Sequence, residues 1–222
     1  SKSLERDNLF NSLYNREVYA TSGERILLWF DVIHPELGKL PMGSELTLSQ
    51  AEPFFSVTAV GSFKQKAGCP DYVYSSLEET QISRLCLNEC YNPSNERNKI
   101  DRIEVIRITV TQDLDNLEKF IQDPWRIFPC KDKGEGCEIK FKDPDFLNMK
   151  GEIVYYVRAI QEPTMAVGGN PLRCTLDERG NCLKTLPCYA SGPKFNPEDD
   201  CLAPVGERAW SSPIFISYEN ST

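Results

Sequence analysis

Short apolar segments, many of them alternating with polar residues and bounded by turn formers, run along most of the chain. Residues 54–60 alternate as a half-buried strand does, and residues 100–110 are rich in β-branched side chains. Residues 153–160 are apolar on both faces up to Arg158, which is typical of a central strand in a sandwich. Further strands are predicted over residues 25–33, 138–141 and 212–218. About six or seven strands with little helix predict a mainly β fold, an immunoglobulin-like β-sandwich.

One helix is predicted at the start of the chain, over residues 1–17, where Ser1 or Ser3 can cap it. Its apolar side chains cluster on one side, and they are Leu4, Leu9, Phe10, Leu13 and Tyr14. Because the chain offers no helical partner, that side must pack on a sheet or on a part of the protein outside this chain. Residues 115–121 predict a short helical turn, and residues 35–43 predict a loop.

Two long connections, residues 61–99 and 161–203, show no clear periodicity and are predicted to be irregular insertions. The chain has nine cysteines, most of them flanked by Gly, Pro, Asp, Asn or Lys and not by apolar runs. Cysteines in loops are far more often disulfide-bonded than free, provided that the compartment is oxidising. We therefore expect long disulfide-stapled insertions and an extracytoplasmic location, either periplasmic or secreted.

Local spacing favours three disulfides, because each pair brackets a short loop rich in turn-forming or flexible residues. The three pairs are Cys130 with Cys137, Cys174 with Cys182, and Cys188 with Cys201. The remaining cysteines, Cys69, Cys86 and Cys90, are ambiguous: Cys69 can pair with either of the other two, which leaves one thiol over.

A zinc site is the competing interpretation of the cysteines. Cys86 and Cys90 form a Cys-x3-Cys spacing that could supply thiolates together with a second pair. Structural zinc sites favour the tighter Cys-x2-Cys knuckle, which this sequence lacks. Disulfides are the favoured prediction, and no metal or other cofactor is expected in this chain.

The charge balance argues against nucleic acid as a partner. The net charge is −8, and the 25 basic residues form no basic run. No apolar stretch approaches the ~18 residues that a membrane-spanning helix needs, so no membrane span is expected.

Candidate catalytic chemistry is sparse. His34 is the only histidine, so a binuclear His/Asp metal centre cannot be built from this chain. The acidic run at residues 198–200 fits no standard calcium loop and is interpreted as a solvated turn. We therefore expect no catalytic or metal-binding residue and no self-sufficient active site.

Several motifs together resemble a known bacterial family. They are REVYATSG (16–23), GCPDYVYSS (68–76), DPWR (123–126), YYVRAIQEP (155–163), DDCLAP (199–204) and ERAWSSPIF (207–215). The resemblance runs from end to end of the chain. The family is catalogued as domain of unknown function 3604, and its members resemble PHP-type (polymerase and histidinol phosphatase) metallohydrolases.

The resemblance implies a division of the chain and a function. Residues 1–33 would be the last helix and strand of a preceding PHP-like barrel, and residues 34–222 a β-sandwich with cysteine-rich insertions. The chain would then be the non-catalytic C-terminal accessory domain of a metal-dependent, phosphoesterase-type hydrolase. Its partner would be its own N-terminal catalytic domain, which would hold the divalent metal. Thr21, Ser22 and Arg25 could face that active site, or could serve only the local turn.

A stand-alone extracytoplasmic binding or structural module is the alternative function. In that case the tyrosine- and cysteine-rich insertions would form the recognition surface. A His/Asp-rich stretch encoded upstream of Ser1 would distinguish the two.

Overall fold

The structure is a computed structural model that describes residues 3–86, 90–111, 114–130, 136–167, 173–179, 181–189 and 191–219. Its helices are α1 (Arg6–Tyr14), α2 (Asp71–Ser76), α3 (Glu79–Cys86) and α4 (Phe146–Met149), with a 3-10 helix at Leu114–Lys119. The first strands are β1 (Tyr19–Thr21), β2 (Leu27–His34), β3 (Gly38–Pro41), β4 (Glu45–Leu48), β5 (Phe54–Val60), β6 (Phe63–Ala67), β7 (Tyr91–Arg97), β8 (Ile100–Thr109) and β9 (Ile121–Pro129). The others are β10 (Gly136–Lys142), β11 (Glu152–Gln161), β12 (Thr164–Val167), β13 (Cys174–Leu176), β14 (Cys182–Thr185), β15 (Leu202–Val205), β16 (Arg208–Ser211) and β17 (Ile214–Tyr218).

The smaller of the two main sheets has four antiparallel strands in the order β10-β5-β2-β3. Side chains alternate along β2: Leu28, Phe30 and Val32 are buried, while Trp29 between them is exposed. This period of two places one apolar face of the sheet against the second sheet.

The larger sheet has seven strands built around β11. One edge of β11 pairs with β8, which in turn pairs with β9. The other edge pairs with two short strands placed end to end, β16 and β17. Strand β1 continues the sheet beside β16, and β4 lies parallel to β17.

The inner faces of the two sheets form a single hydrophobic core. At its centre the Phe55 ring lies 5.5 Å from Phe30, 5.0 Å from Phe141 and 4.7 Å from Tyr155, measured between ring centroids. Aromatic rings at such distances stabilise the fold by more than the burial of their apolar area alone. Sheet packing of this kind defines a sandwich, so the predicted mainly β fold is confirmed.

A buried ion pair closes one side of the core. The Arg107 guanidinium donates to both carboxylate oxygens of Asp143 at 2.8 Å, and the Tyr155 hydroxyl donates to the same carboxylate at 2.7 Å. The Arg107 guanidinium also lies 4.4 Å from the centre of the Trp125 ring. Burial, and secondly the hydrogen bond to Asp143, raise the pKa of Tyr155 well above its usual range.

The strands predicted from the strongest patterns lie where they were expected, with bounds that differ by at most two residues. The loop predicted at residues 35–43 instead contains β3, and the structure adds β4 and β9, which the sequence did not predict. The predicted division after residue 33 falls inside β2, which pairs with β5 over residues 27–32 and with β3 over residues 31–34. That strand therefore belongs to the sandwich.

The two insertions are more regular than predicted. The first contains the β6–β7 hairpin together with α2 and α3. The second contains two small antiparallel pairs, β12–β15 and β13–β14. Each pair is too short to bury a core of its own, so disulfides and contacts with the sandwich hold its strands in place instead.

Candidate functional site

Eight cysteines form four disulfides. Three are the local pairs that the spacing predicts, Cys130–Cys137, Cys174–Cys182 and Cys188–Cys201. The Cys130–Cys137 bond is buried in the main core and joins the end of β9 to the start of β10. The other two pairs lie in the second insertion, where they hold strands that have little core of their own.

The ambiguous trio resolves into a bonded pair and a free thiol. Cys69 is joined to Cys90, and Cys86 is free. The Cys86 sulfur lies 3.7 Å from the Cys69 sulfur, and all three sulfur atoms lie within 4.8 Å of one another. Within the described ranges this is the one group of ligand side chains close enough to hold a metal ion.

Thr21, Ser22 and Arg25 lie at the edge of the larger sheet and in the turn before β2. Thr21 ends β1 opposite Ala209 of β16. The Ser22 hydroxyl donates to the Glu207 carboxylate and accepts the Arg208 backbone N–H at 2.9 Å. These bonds give Ser22 a structural role in this turn.

Glu24, in the same turn just before Arg25, makes side-chain hydrogen bonds that the sequence did not reveal. Glu24 receives hydrogen bonds from four side chains, which come from distant segments of the chain. Its Oε2 atom accepts the Ser62 hydroxyl, Asn98 Nδ2 at 3.1 Å and Gln161 Nε2 at 3.0 Å. Its Oε1 atom accepts the Thr164 hydroxyl at 3.3 Å. We call these five residues the Glu24 cluster.

The Glu24 cluster ties the first insertion to the sandwich. The Ser62 backbone N–H donates to Gln161 Oε1 at 2.9 Å, and the Asn98 N–H donates to the Ser62 carbonyl at 2.8 Å. Gly61 allows this close approach, because a Cβ atom there would lie 1.8 Å from the Asn98 carbonyl oxygen. Both ends of the insertion are therefore fixed at one place.

A cavity of about 470 Å³ opens beside this cluster and is lined by Glu24, Arg25, Ser62 and Phe63 among others. Serine with a carboxylate resembles part of a hydrolytic triad, but the histidine that would activate the serine is missing. His34 lies at the far end of β2, where its Nδ1 atom accepts the backbone N–H groups of Glu36 and Leu37 at 3.2 Å. The cluster can position and bind polar groups, and none of its five residues is a histidine.

The acidic run near Cys201 is a turn held by an ion pair. Asp199 binds the Arg173 guanidinium at 2.7 Å, and this contact and the Cys201 backbone N–H lower the pKa of that carboxyl. Asp200 accepts the Leu202 backbone N–H at 2.9 Å. These carboxylates are thus engaged within the second insertion, where Asp199 is paired with Arg173.

Comparison with protein-family models, curated proteins and solved structures finds no match to this chain. Among the described helices, none has the length and apolar character needed to cross a membrane.

Proposed function

We propose that this chain is the non-catalytic accessory β-sandwich of a metal-dependent, PHP-like hydrolase of the phosphoesterase type. In this proposal the divalent metal lies in a separate N-terminal catalytic domain of the same protein. The motif resemblance to domain of unknown function 3604 supports the proposed parent. The four disulfides support an extracytoplasmic location, either periplasmic or secreted.

The exposed apolar side of α1 carries this proposal. Leu9, Phe10, Leu13 and Tyr14 remain between 41% and 77% exposed on a helix whose only buried residue is Ser12. Burying such side chains contributes roughly 1.5–3 kcal/mol for each one that is fully removed from water. A helix with this composition is explained by a partner surface that covers it.

The sandwich anchors the segment that follows α1. The Arg16 guanidinium donates to the Gly43 carbonyl at 3.2 Å and binds Glu45 at 2.5 Å. A Cβ atom at Gly43 would lie 2.3 Å from the Asn15 carbonyl oxygen, so the chain after α1 packs tightly on the turn before β4. The apolar side of α1 thus remains exposed beside a segment that is anchored on the sandwich, where a docking partner can reach it.

The experiment compares this chain with the full encoded protein. Chromogenic phosphoesters and added divalent metals should give turnover with the full protein and none with the chain alone. Phe10→Glu with Leu13→Glu should weaken docking and expose the interdomain linker to protease. Tyr72→Glu, which changes an aromatic residue elsewhere that is somewhat more exposed than Phe10, should do neither. Turnover by the chain alone, or a coding sequence without a His/Asp-rich stretch upstream of Ser1, would refute the proposal.

A stand-alone binding module is the second candidate, and one observation favours it. Tyr72, Tyr74 and Tyr91 are 57% to 72% exposed, and Tyr74 and Tyr91 line a cavity together with the Cys69–Cys90 disulfide. Exposed tyrosines on a stapled loop are typical of recognition surfaces. If this function is correct, Tyr72→Ala with Tyr91→Ala would abolish ligand capture, while the α1 variants would leave it intact.

A further inference from the structure

The first insertion brings three sulfur atoms together. The Cys69–Cys90 disulfide is in contact with the free thiol of Cys86, whose sulfur lies 3.7 Å from that of Cys69. A thiolate breaks a disulfide by attacking one of its sulfur atoms, and contact between the three sulfurs is the starting geometry for that reaction.

The fold maintains this contact through bonds other than the disulfide. The Gly68 backbone N–H donates to the Cys90 carbonyl at 2.7 Å, and Asn92 Nδ2 donates to the Gly68 carbonyl at 2.8 Å. The β6–β7 hairpin therefore keeps Cys69 beside Cys90 even when their bond is broken. Cys86 is the last residue of α3, which brings its thiol to the same place.

The three sulfurs differ in their exposure. Cys69 is 5% exposed, whereas Cys86 and Cys90 are half-buried. All three line a cavity of about 350 Å³ together with Tyr74 and Tyr91. External thiols therefore have poorer access to the shared sulfur, Cys69, than the Cys86 thiol that already touches it.

We propose that these three cysteines form a site of intramolecular thiol–disulfide exchange. The Cys86 thiolate attacks the Cys69 sulfur, so that the Cys69–Cys86 bond forms and the Cys69–Cys90 bond breaks. Cys90 leaves as a thiolate and takes up a proton in place of the one that Cys86 lost. No net oxidation occurs, so the step requires neither an oxidant nor a reductant.

The two disulfide isomers close rings of similar length. The Cys69–Cys90 bond spans 21 residues, and the Cys69–Cys86 bond spans 17. Loop-closure entropy in the unfolded chain favours the shorter ring by a factor of only about 1.4 in the equilibrium constant, so ring length selects neither isomer strongly. The free thiol is then shared between Cys86 and Cys90, and either position can form a mixed disulfide with a small thiol or with a partner protein.

The test locates the free thiol. The protein is purified without reductant, incubated at pH 8, acidified, and alkylated with N-ethylmaleimide at mildly acidic pH. Cleavage after Glu89 separates Cys86 from Cys90, so mass spectrometry can quantify the label on each. We expect one label per molecule, divided between the two cysteines within about tenfold, as near-equal ring lengths imply. Label on Cys86 alone at every incubation time, or on neither cysteine, would overturn the proposal.

Two variants control for other sources of the label. Cys86→Ser removes the nucleophile, so no label should appear on Cys90. Label there would mean that the Cys90 thiol does not arise by exchange. Cys90→Ser should form the Cys69–Cys86 disulfide when oxidised glutathione is supplied, and failure to form that bond would also overturn the proposal. The Cys130–Cys137 peptide, which carries a buried disulfide far from this insertion in sequence, should stay unchanged throughout.

Discussion

Replacing Arg107 by methionine tests whether the buried ion pair is the polar anchor of the sandwich. Arg107 is 7% exposed and Asp143 is fully buried, so neither charge is compensated by water. Methionine retains an apolar stem of similar length and can still pack against Trp125. The variant therefore removes the guanidinium and leaves the Asp143 carboxylate without its cation.

The expected cost follows from that unpaired charge. Breaking a buried ion pair by removing one partner costs about 3–5 kcal/mol. The hydroxyl of Tyr155 at 2.7 Å and the backbone N–H of Asp145 at 3.0 Å still donate to Asp143, so we expect the lower part of that range. Loss of the cation–π attraction to the Trp125 ring adds about 0.5–1 kcal/mol.

The measurement is urea unfolding at pH 7, followed by circular dichroism because tryptophan fluorescence would report the altered surroundings of Trp125. Arg126→Met is the matched control, since that guanidinium lies 4.2 Å from the centre of the same ring and, among the described residues, donates one other bond, to the Lys142 carbonyl. It should cost about 1 kcal/mol or less.

A second change separates charge from packing. Asp143→Asn in the Arg107→Met background removes the unpaired charge and keeps an oxygen that accepts from Tyr155, so it should recover at least about half of the loss. The reasoning is wrong if Arg107→Met costs no more than Arg126→Met. It is also wrong if the double variant is as unstable as Arg107→Met alone.

Three other features give measurable expectations. The raised pKa of Tyr155 means that the folded state holds a proton which the unfolded state releases above pH ~10. Above that pH the free energy of unfolding should therefore fall by about 1.4 kcal/mol per pH unit. Tyr155→Phe should make this decrease less steep. Gly61→Ala should cost about 1–3 kcal/mol in thermal unfolding because its Cβ meets a backbone carbonyl, whereas Gly151→Ala, with its nearest atom at 3.8 Å, should stay within about 0.5 kcal/mol. Replacing Cys130 and Cys137 by serine should cost at least roughly 2.5 kcal/mol in denaturant unfolding, from loop entropy alone. The first expectation is contradicted if Tyr155→Phe leaves the pH dependence of unfolding unchanged, and the second if Gly61→Ala is as stable as Gly151→Ala. The third is contradicted if the serine variant unfolds at the same denaturant midpoint as the native chain.

The sequence predicted the central strands because their side chains report burial directly. Strands β5, β8 and β11 carry period-two or fully apolar patterns, and the structure buries those residues. Strands β3, β4 and β9 were missed for a physical reason. The first two have four residues each, and β9 is mostly exposed, so its pattern resembles that of a loop. Their pairing depends on neighbouring strands that local patterns do not specify.

The cysteines show the same division between local and distant information. The three pairs separated by 7, 8 and 13 residues were predictable, because a short loop brings its own ends together. The partner of Cys69 was not predictable, because the β6–β7 hairpin and α3 bring the sulfur atoms of both Cys86 and Cys90 within 4.8 Å of the Cys69 sulfur. Only the three-dimensional packing of that insertion decides the pairing.

The Glu24 cluster was beyond local reasoning because its members are up to 140 residues apart in sequence. One signal was nevertheless present. Gln161 continues the apolar strand β11, and it is fully buried. A buried amide needs partners, so a polar residue at the end of a core strand indicates a hydrogen-bonded cluster at that place.

The two polar clusters explain why α1 can remain uncovered in a stable sandwich. Tyr155 and Gln161 lie near opposite ends of β11, so Asp143 is bound at one end of the central strand and Glu24 at the other. Both clusters, and the aromatic core between them, draw only on residues after α1. The sandwich therefore fixes its own register and its insertions without any contribution from Phe10 or Leu13. Because folding does not use that apolar side, it stays available for the docking that we propose.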